Sequence, residues 1–193
     1  LTRGLWQIAT AGGGLDDLGG AGYGGAGGDG YFTAKGGSEY GTSSTAEYLG
    51  SGGAAEFDGQ RGGNGGGRIR FLVTGSLTLA GSIHASGTQG ITNGGGGSGG
   101  SVYLRAGSIT GTGSISANGA DGVDASGGGS GGRIVLLYGT LGTFDITHVT
   151  SSKGLKGPRD NGNLRDGASG TVYALQVNTS PDVPSSLGST ALV

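Results

Sequence analysis

The chain of 193 residues holds 52 glycines and 3 prolines, 55/193 or about 28% Pro plus Gly, more than twice ordinary usage. Three prolines without glycine at every third position exclude a collagen triple helix. A formal charge of −2 with neither sign in a run excludes an electrostatic footprint for nucleic acid or an anionic membrane, and zero cysteines exclude disulfides and thiolate chemistry.

Residues 1–60 lack a clear strand pattern. They hold a glycine cluster at 19–30 and a tyrosine-bearing stretch at 31–49. The expectation is a glycine-rich cap and covering segment over the first coil of a stack, because stacked repeats need protected ends. Leu1 stands first and no methionine occurs, so the chain is expected to be a processed or excised piece.

Residues 61–177 carry an internal repeat. GRIRFLV from Gly67, GSVYLRA from Gly100, GRIVLLY from Gly132 and GTVYALQ from Gly170 share one alternating pattern and start 33, 32 and 38 residues apart. After the first and second of these, GSLTLAGSIHASG from Gly75 matches GSITGTGSISANG from Gly107; the third copy, from Gly139, is looser. Each unit is expected to form three short strands and a glycine-rich return, and units of this length bury their apolar faces only against neighbours. The predicted class is all-β: a glycine-rich parallel β-helix or β-solenoid-like stack with an irregular N-terminal cap.

Stacking the copies predicts inward rows of Ile69, Val102, Ile134 and Val172, then Phe71, Leu104, Leu136 and Ala174. Further rows are Leu77, Ile109 and Leu141, then Ile83, Ile115 and Ile146. Outward rows are Arg68, Ser101, Arg133 and Thr171, then Arg70, Tyr103, Val135 and Tyr173, with no arginine directly opposite another. Outward Val135 and Leu137 call for a covering layer, for which the N-terminal segment is available. The runs GGGSGG at 95–100 and 127–132 both precede a strand, and are expected to pack backbone on backbone as extended, polyproline-II-like segments. Residues 178–193 turn to Thr, Ser and Pro and are expected to link to a following domain. No apolar run approaches the ~18 residues of a membrane span.

The glycine pieces at 22–30, 49–53, 62–70, 81–87 and 166–173, with the two GGGSGG runs, resemble glycine-rich repeat regions of large secreted and surface-anchored multidomain proteins. The stretch PDVPSSLG from Pro181 is similar to entries to Ig-like domains in bacterial surface proteins. The resemblance implies an extracellular β-solenoid-like module among other modules, and it carries no catalytic residues.

Several motifs bear on chemistry. GGAGGDGY from Gly24 fits one copy of the calcium β-roll nonapeptide, making Asp29 a calcium candidate, although a calcium roll needs tandem copies; Asp121 and Asp124 are the next, and Asx turns explain them better than calcium does. GxSxG at 96–100 and 128–132 precedes a strand rather than a helix, contrary to a nucleophile elbow. His84 and His148 occupy strand-like slots without acidic partners, and the adjacent acids Asp16 and Asp17 suit a solvated turn better than glycoside cleavage. Asn178 begins a glycosylation sequon. The function expected is a non-enzymatic structural or adhesive stalk at the cell surface, with no cofactor unless calcium binds. Its partners would be other domains of the same polypeptide, glycans or copies of itself. A carbohydrate-binding module is the alternative, with Trp6, Tyr40, Tyr48 and Tyr103 as sugar-stacking rings, and a polysaccharide-degrading enzyme is a third.

Overall fold

In the computed structural model the described residues are 13–14, 18–55, 60–160 and 162–177. They form an all-β chain with two parallel sheets, neither of them closed. The first sheet orders β1 (Arg68–Thr78), β3 (Ser101–Thr110), β5 (Arg133–Leu141) and β7 (Thr171–Gln176) as neighbours; the second orders β2 (Ser82–His84), β4 (Ser114–Ser116) and β6 (Val149–Thr150). Every pairing within the sheets is parallel, so each repeat advances the chain by one strand in each sheet.

The ladders follow the repeat. Ile69, Val102, Ile134 and Val172 are register partners, as are Phe71, Leu104, Leu136 and Ala174, and Leu77, Ile109 and Leu141. Two expectations need correction. The three short strands per unit are two, because the first pair fuses into one long strand with a register shift between Val73 and Ser76. The fourth row continues from Ile83 and Ile115 to Val149, not Ile146. The third copy is longer here: Ile146 sits in a 3-10 turn (Ile146–His148), and Asp145 caps it by accepting from the Thr147 N–H.

The core lies between the sheets, where Val102, Leu104, Ile109, Ile115, Ile134 and Leu136 are fully buried. Burying each such side chain contributes roughly 1.5–3 kcal/mol. Burial fails at the ends of the same rows: Phe71 on β1 is 42% exposed and Val172 on β7 is 41% exposed. Among the described residues the outer edge of β1 is unpaired, and opposite β7 the second sheet has already stopped at β6.

Beyond the strands the glycine runs form a bundle with a hydrogen-bond period of three. Gly95 and Ser98 donate to Ala54 and Ser51, Gly96 and Gly99 to Gly127 and Ser130, and Gly97 and Gly100 to Thr88 and Ala85. The carbonyls of the same run accept from segments 63–66, 18–21 and 117–120, as in Gly63 to Gly95, Ala21 to Gly96 and Ala120 to Gly97. Three segments receive and three donate, so the run has six neighbours. The run at 127–132 repeats the scheme, donating to 18–21, 165–168 and 117–120. Three residues per turn with no internal bonds is the geometry of polyproline II, in which each turn presents its N–H groups in three directions.

Close packing of this kind leaves no room for a Cβ. One built on Gly99 would stand 1.9 Å from the carbonyl oxygen of Ala117, and one on Gly129 would stand 2.2 Å from that of Gly97. The serine shared by both GGGSGG runs faces the N-terminal layer, and its hydroxyl is used there. Ser98 Oγ accepts from the Ser51 N–H at 2.8 Å, and Ser130 Oγ from the Tyr23 N–H at 2.9 Å.

Candidate functional site

The N-terminal layer crosses from the glycine bundle onto the outward face of the first sheet through three tyrosines. Tyr23 is fully buried and shares a hydrogen bond between its hydroxyl and Ser101 Oγ, 2.6 Å apart, while Ser101 Oγ donates to the Tyr48 carbonyl. The Tyr23 and Tyr40 rings lie 4.8 Å apart, and Tyr48 meets Tyr40 edge-on at 5.8 Å. Arg133 from β5 sits beneath them, 4% exposed, with its guanidinium 5.4 Å from the Tyr23 ring centre. Its Nη2 donates to the carbonyls of Tyr40, Tyr23 and Gly41. A buried cation is tolerable only when dipoles or charges answer it, and here backbone carbonyls and a π face do so. Burial pushes the Tyr40 phenol above its ordinary value, against the opposing pull of its Ser51 hydrogen bond. Tyr23 and Tyr40 thus lie over the third copy at Arg133, two residues before Val135, which is itself buried. Tyr40 and Tyr48 come together as packing residues, though Tyr48 keeps 49% of its surface.

Past the tyrosines, towards β1, the outward face is open. Arg68 and Arg70 on β1 and Arg105 on β3 are exposed and project from one side of the sheet, since they fall in the outward rows Arg68–Ser101, Arg70–Tyr103 and Leu72–Arg105. The Arg70 guanidinium lies 5.3 Å from the Tyr103 ring centre. Leu72 beside Arg105 is 59% exposed. Rows of hydroxyls continue the face: Ser76 with Ser108 at 2.7 Å, and Thr78 with Thr110 at 3.2 Å.

Four of the other cations behave differently. Lys35, Lys153, Lys156 and Arg159 are paired with Asp29, Asp166, Asp160 and Asp124 around the glycine bundle. None of the three sheet-face arginines takes part in an ion pair among the described residues. Sequence reasoning placed Arg68 and Arg70 in outward rows but missed Arg105 as their neighbour. The signal was available in the register, which sets Arg105 opposite Leu72 and diagonal to Arg70.

The calcium candidates are not brought together. Asp29 accepts from the Gly36 N–H and pairs with Lys35 at 3.0 Å; burial alone would raise its carboxyl, but these two partners hold it below its ordinary value. Asp121 accepts from the Leu155 N–H at 2.7 Å, and Asp124 occupies a left-handed turn position, φ 55°, facing Arg159. No group of three or more His, Cys, Asp or Glu that could hold a metal occurs among the described residues. His84 Nδ1 lies 2.7 Å from Ser116 Oγ and His148 Nδ1 lies 3.3 Å from the Gly113 carbonyl, so both histidines make local structural contacts. An open groove is lined by Lys153, Lys156, Leu164, Arg165, Asp166 and Gly167. Trp6, Asp16, Asp17 and the sequon at Asn178 lie outside the described residues.

No family model, no curated protein and no solved structure matches the chain. Among the described residues no helix is long and apolar enough to cross a membrane.

Proposed function

We propose that the chain is an extracellular structural or adhesive module, a β-solenoid-like stalk or spacer of a larger surface protein, with no catalytic role of its own. The observation that carries the reading is the six-neighbour packing of the glycine runs in register with the strands they lead into. Such packing makes a stiff body from short repeats, and the repeats set its length. The likeness of its glycine motifs to surface-anchored repeat regions and of its tail to entries of Ig-like domains supports the same reading.

Amide hydrogen exchange tests the stiffness on which a spacer depends. The amides of Gly96, Gly99, Gly129 and Gly132 should exchange as slowly as those of β3 and β5, since all are bonded within the same body. Exchange of these glycines at the rate of an unstructured chain, with the strands still protected, would remove the spacer reading.

A second reading is favoured by one contact, the Arg70 guanidinium against Tyr103 on the open sheet face. It is a carbohydrate-binding module in which Tyr103, rather than Tyr40 or Tyr48, presents the ring that a sugar would meet.

A further inference from the structure

We infer that the open outward face of β1 and β3 is a binding site for an acidic polysaccharide, one carrying carboxylate or sulfate groups, with Arg68, Arg70 and Arg105 as its anion-binding residues. The inference rests on the carbohydrate-binding reading and names its ligand class. Three exposed guanidinium groups stand on one face. Arg68 and Arg70 are two residues apart along β1, about 6.6 Å, and Arg105 is diagonal to Arg70 across the strand pair, about 7–8 Å between backbone positions. Like charges this close repel, and proteins that need only solubility intersperse them with carboxylates, as this chain does around its glycine bundle.

The chemistry of the face selects the ligand. Guanidinium offers a planar fork of donors that fits carboxylate or sulfate oxygens two at a time. Tyr103 lies among the three arginines and supplies an apolar ring with one polar edge, suited to a pyranose face. The hydroxyls of Ser76, Ser108, Thr78 and Thr110 border the cluster. Each can bond to its ladder partner and still accept or donate outward. An open sheet face accepts an extended chain without needing a pocket. Nucleic acid fits less well, because a net charge of −2 and a cluster only two strands wide offer no long basic stripe for a phosphate backbone.

The test uses the full chain on immobilised polygalacturonate, a sulfated dextran, neutral dextran and single-stranded DNA, at low salt with chelator present. Saturable retention on the uronate or the sulfated polymer supports the inference, and which of the two is retained identifies the anion. The double variant Arg70→Gln/Arg105→Gln should weaken that retention at least tenfold, with the melting temperature little changed, since both side chains are exposed and the loss is confined to the Arg70 contact with the Tyr103 ring. Lys153→Gln, at the paired cluster, should change it less than twofold. Charge reversal at the single site, Arg105→Glu, gives an independent second variant that should also abolish retention. Retention on neutral dextran of equal strength would overturn the anionic ligand while leaving a carbohydrate-binding module standing. Absence of retention on every glycan would overturn both. Tighter retention on DNA, or a double variant that binds like the parent, would overturn the site.

Discussion

The sharpest consequence of the bundle is that two glycines of the same chain should respond to alanine with opposite signs. At Gly99 a Cβ would stand 1.9 Å from the Ala117 oxygen and 2.6 Å from the Gly132 nitrogen, so segment 117–120 must withdraw by about 1.5 Å to reach ordinary contact near 3.4 Å. That segment is tied to the two glycine runs by Ala120 N–H to Gly97 (3.0 Å), Gly129 N–H to Ala120 (2.8 Å) and Gly132 N–H to Ala117 (2.7 Å). Losing two or three of these at about 1 kcal/mol each, with about 1–3 kcal/mol of packing strain, predicts about 3–6 kcal/mol of destabilisation for Gly99→Ala. For a chain of this size that lowers the melting temperature by roughly 6–24 °C. At Gly75 nothing lies within 4 Å of the added Cβ and φ is not left-handed. Gly75→Ala should therefore stabilise by about 0.4–1 kcal/mol, because it removes freedom from the unfolded chain only. Thermal melts by circular dichroism on the two variants and the parent decide the matter. Equal small shifts at both positions would refute the packed bundle.

The core makes a similar contrast between the middle and the end of the stack. Ile115→Ala, in the fully buried row, should cost about 2–5 kcal/mol in urea unfolding, whereas Phe71→Ala at the open edge should cost less than half as much; parity between them would mean that the edge is covered in solution. The acid limb of the stability curve should depend on Asp166. The Lys153 ammonium, and then the Lys156 N–H, hold its carboxyl below the ordinary value of 3.8. A depressed folded pKa gives stability that is fully present above that value and lost as pH falls below it. Asp166→Asn should therefore narrow the gap in melting temperature between pH 7 and pH 3; a gap of unchanged width would show that the pair contributes nothing.

Much of the fold was legible because the repeat carries its own register. Once GRIRFLV, GSVYLRA, GRIVLLY and GTVYALQ are aligned on their glycines, the ladders from Ile69 to Val172 and from Phe71 to Ala174 follow without further information. The row ending in Ile146 failed because alignment assumes equal lengths, and the third copy spends its extra residues on the Asp145-capped turn before reaching Val149. The route of the N-terminal layer was not legible at all. Its partners are backbone carbonyls of glycine runs far along the chain, such as Gly96 for Ala21 and Gly131 for Gly24, and a backbone acceptor leaves no trace in side-chain pattern. Few side chains mark the crossing by residue type, among them the Ser98 and Ser130 hydroxyls that accept from the Ser51 and Tyr23 N–H groups, and Ser101 against the Tyr23 hydroxyl.

The site was half legible for the same reason. Outward alternation put Arg68, Arg70 and Tyr103 on one face, but the meaning of that face depends on which residues are covered. Arg133 occupies the same outward row as Arg68, two strands away, yet lies beneath Tyr23 and Tyr40 and is answered by their carbonyls. Arg68 has solvent there instead. Identical residues at equivalent repeat positions thus meet opposite surroundings: the one under the N-terminal layer fastens it to the sheet, and the other is exposed on the face proposed to take the ligand. In a stack whose units are nearly interchangeable, the surroundings of a repeated residue depend on where the covering layer lies, and among the described residues that layer reaches Arg133 on β5 and leaves Arg68 on β1 exposed.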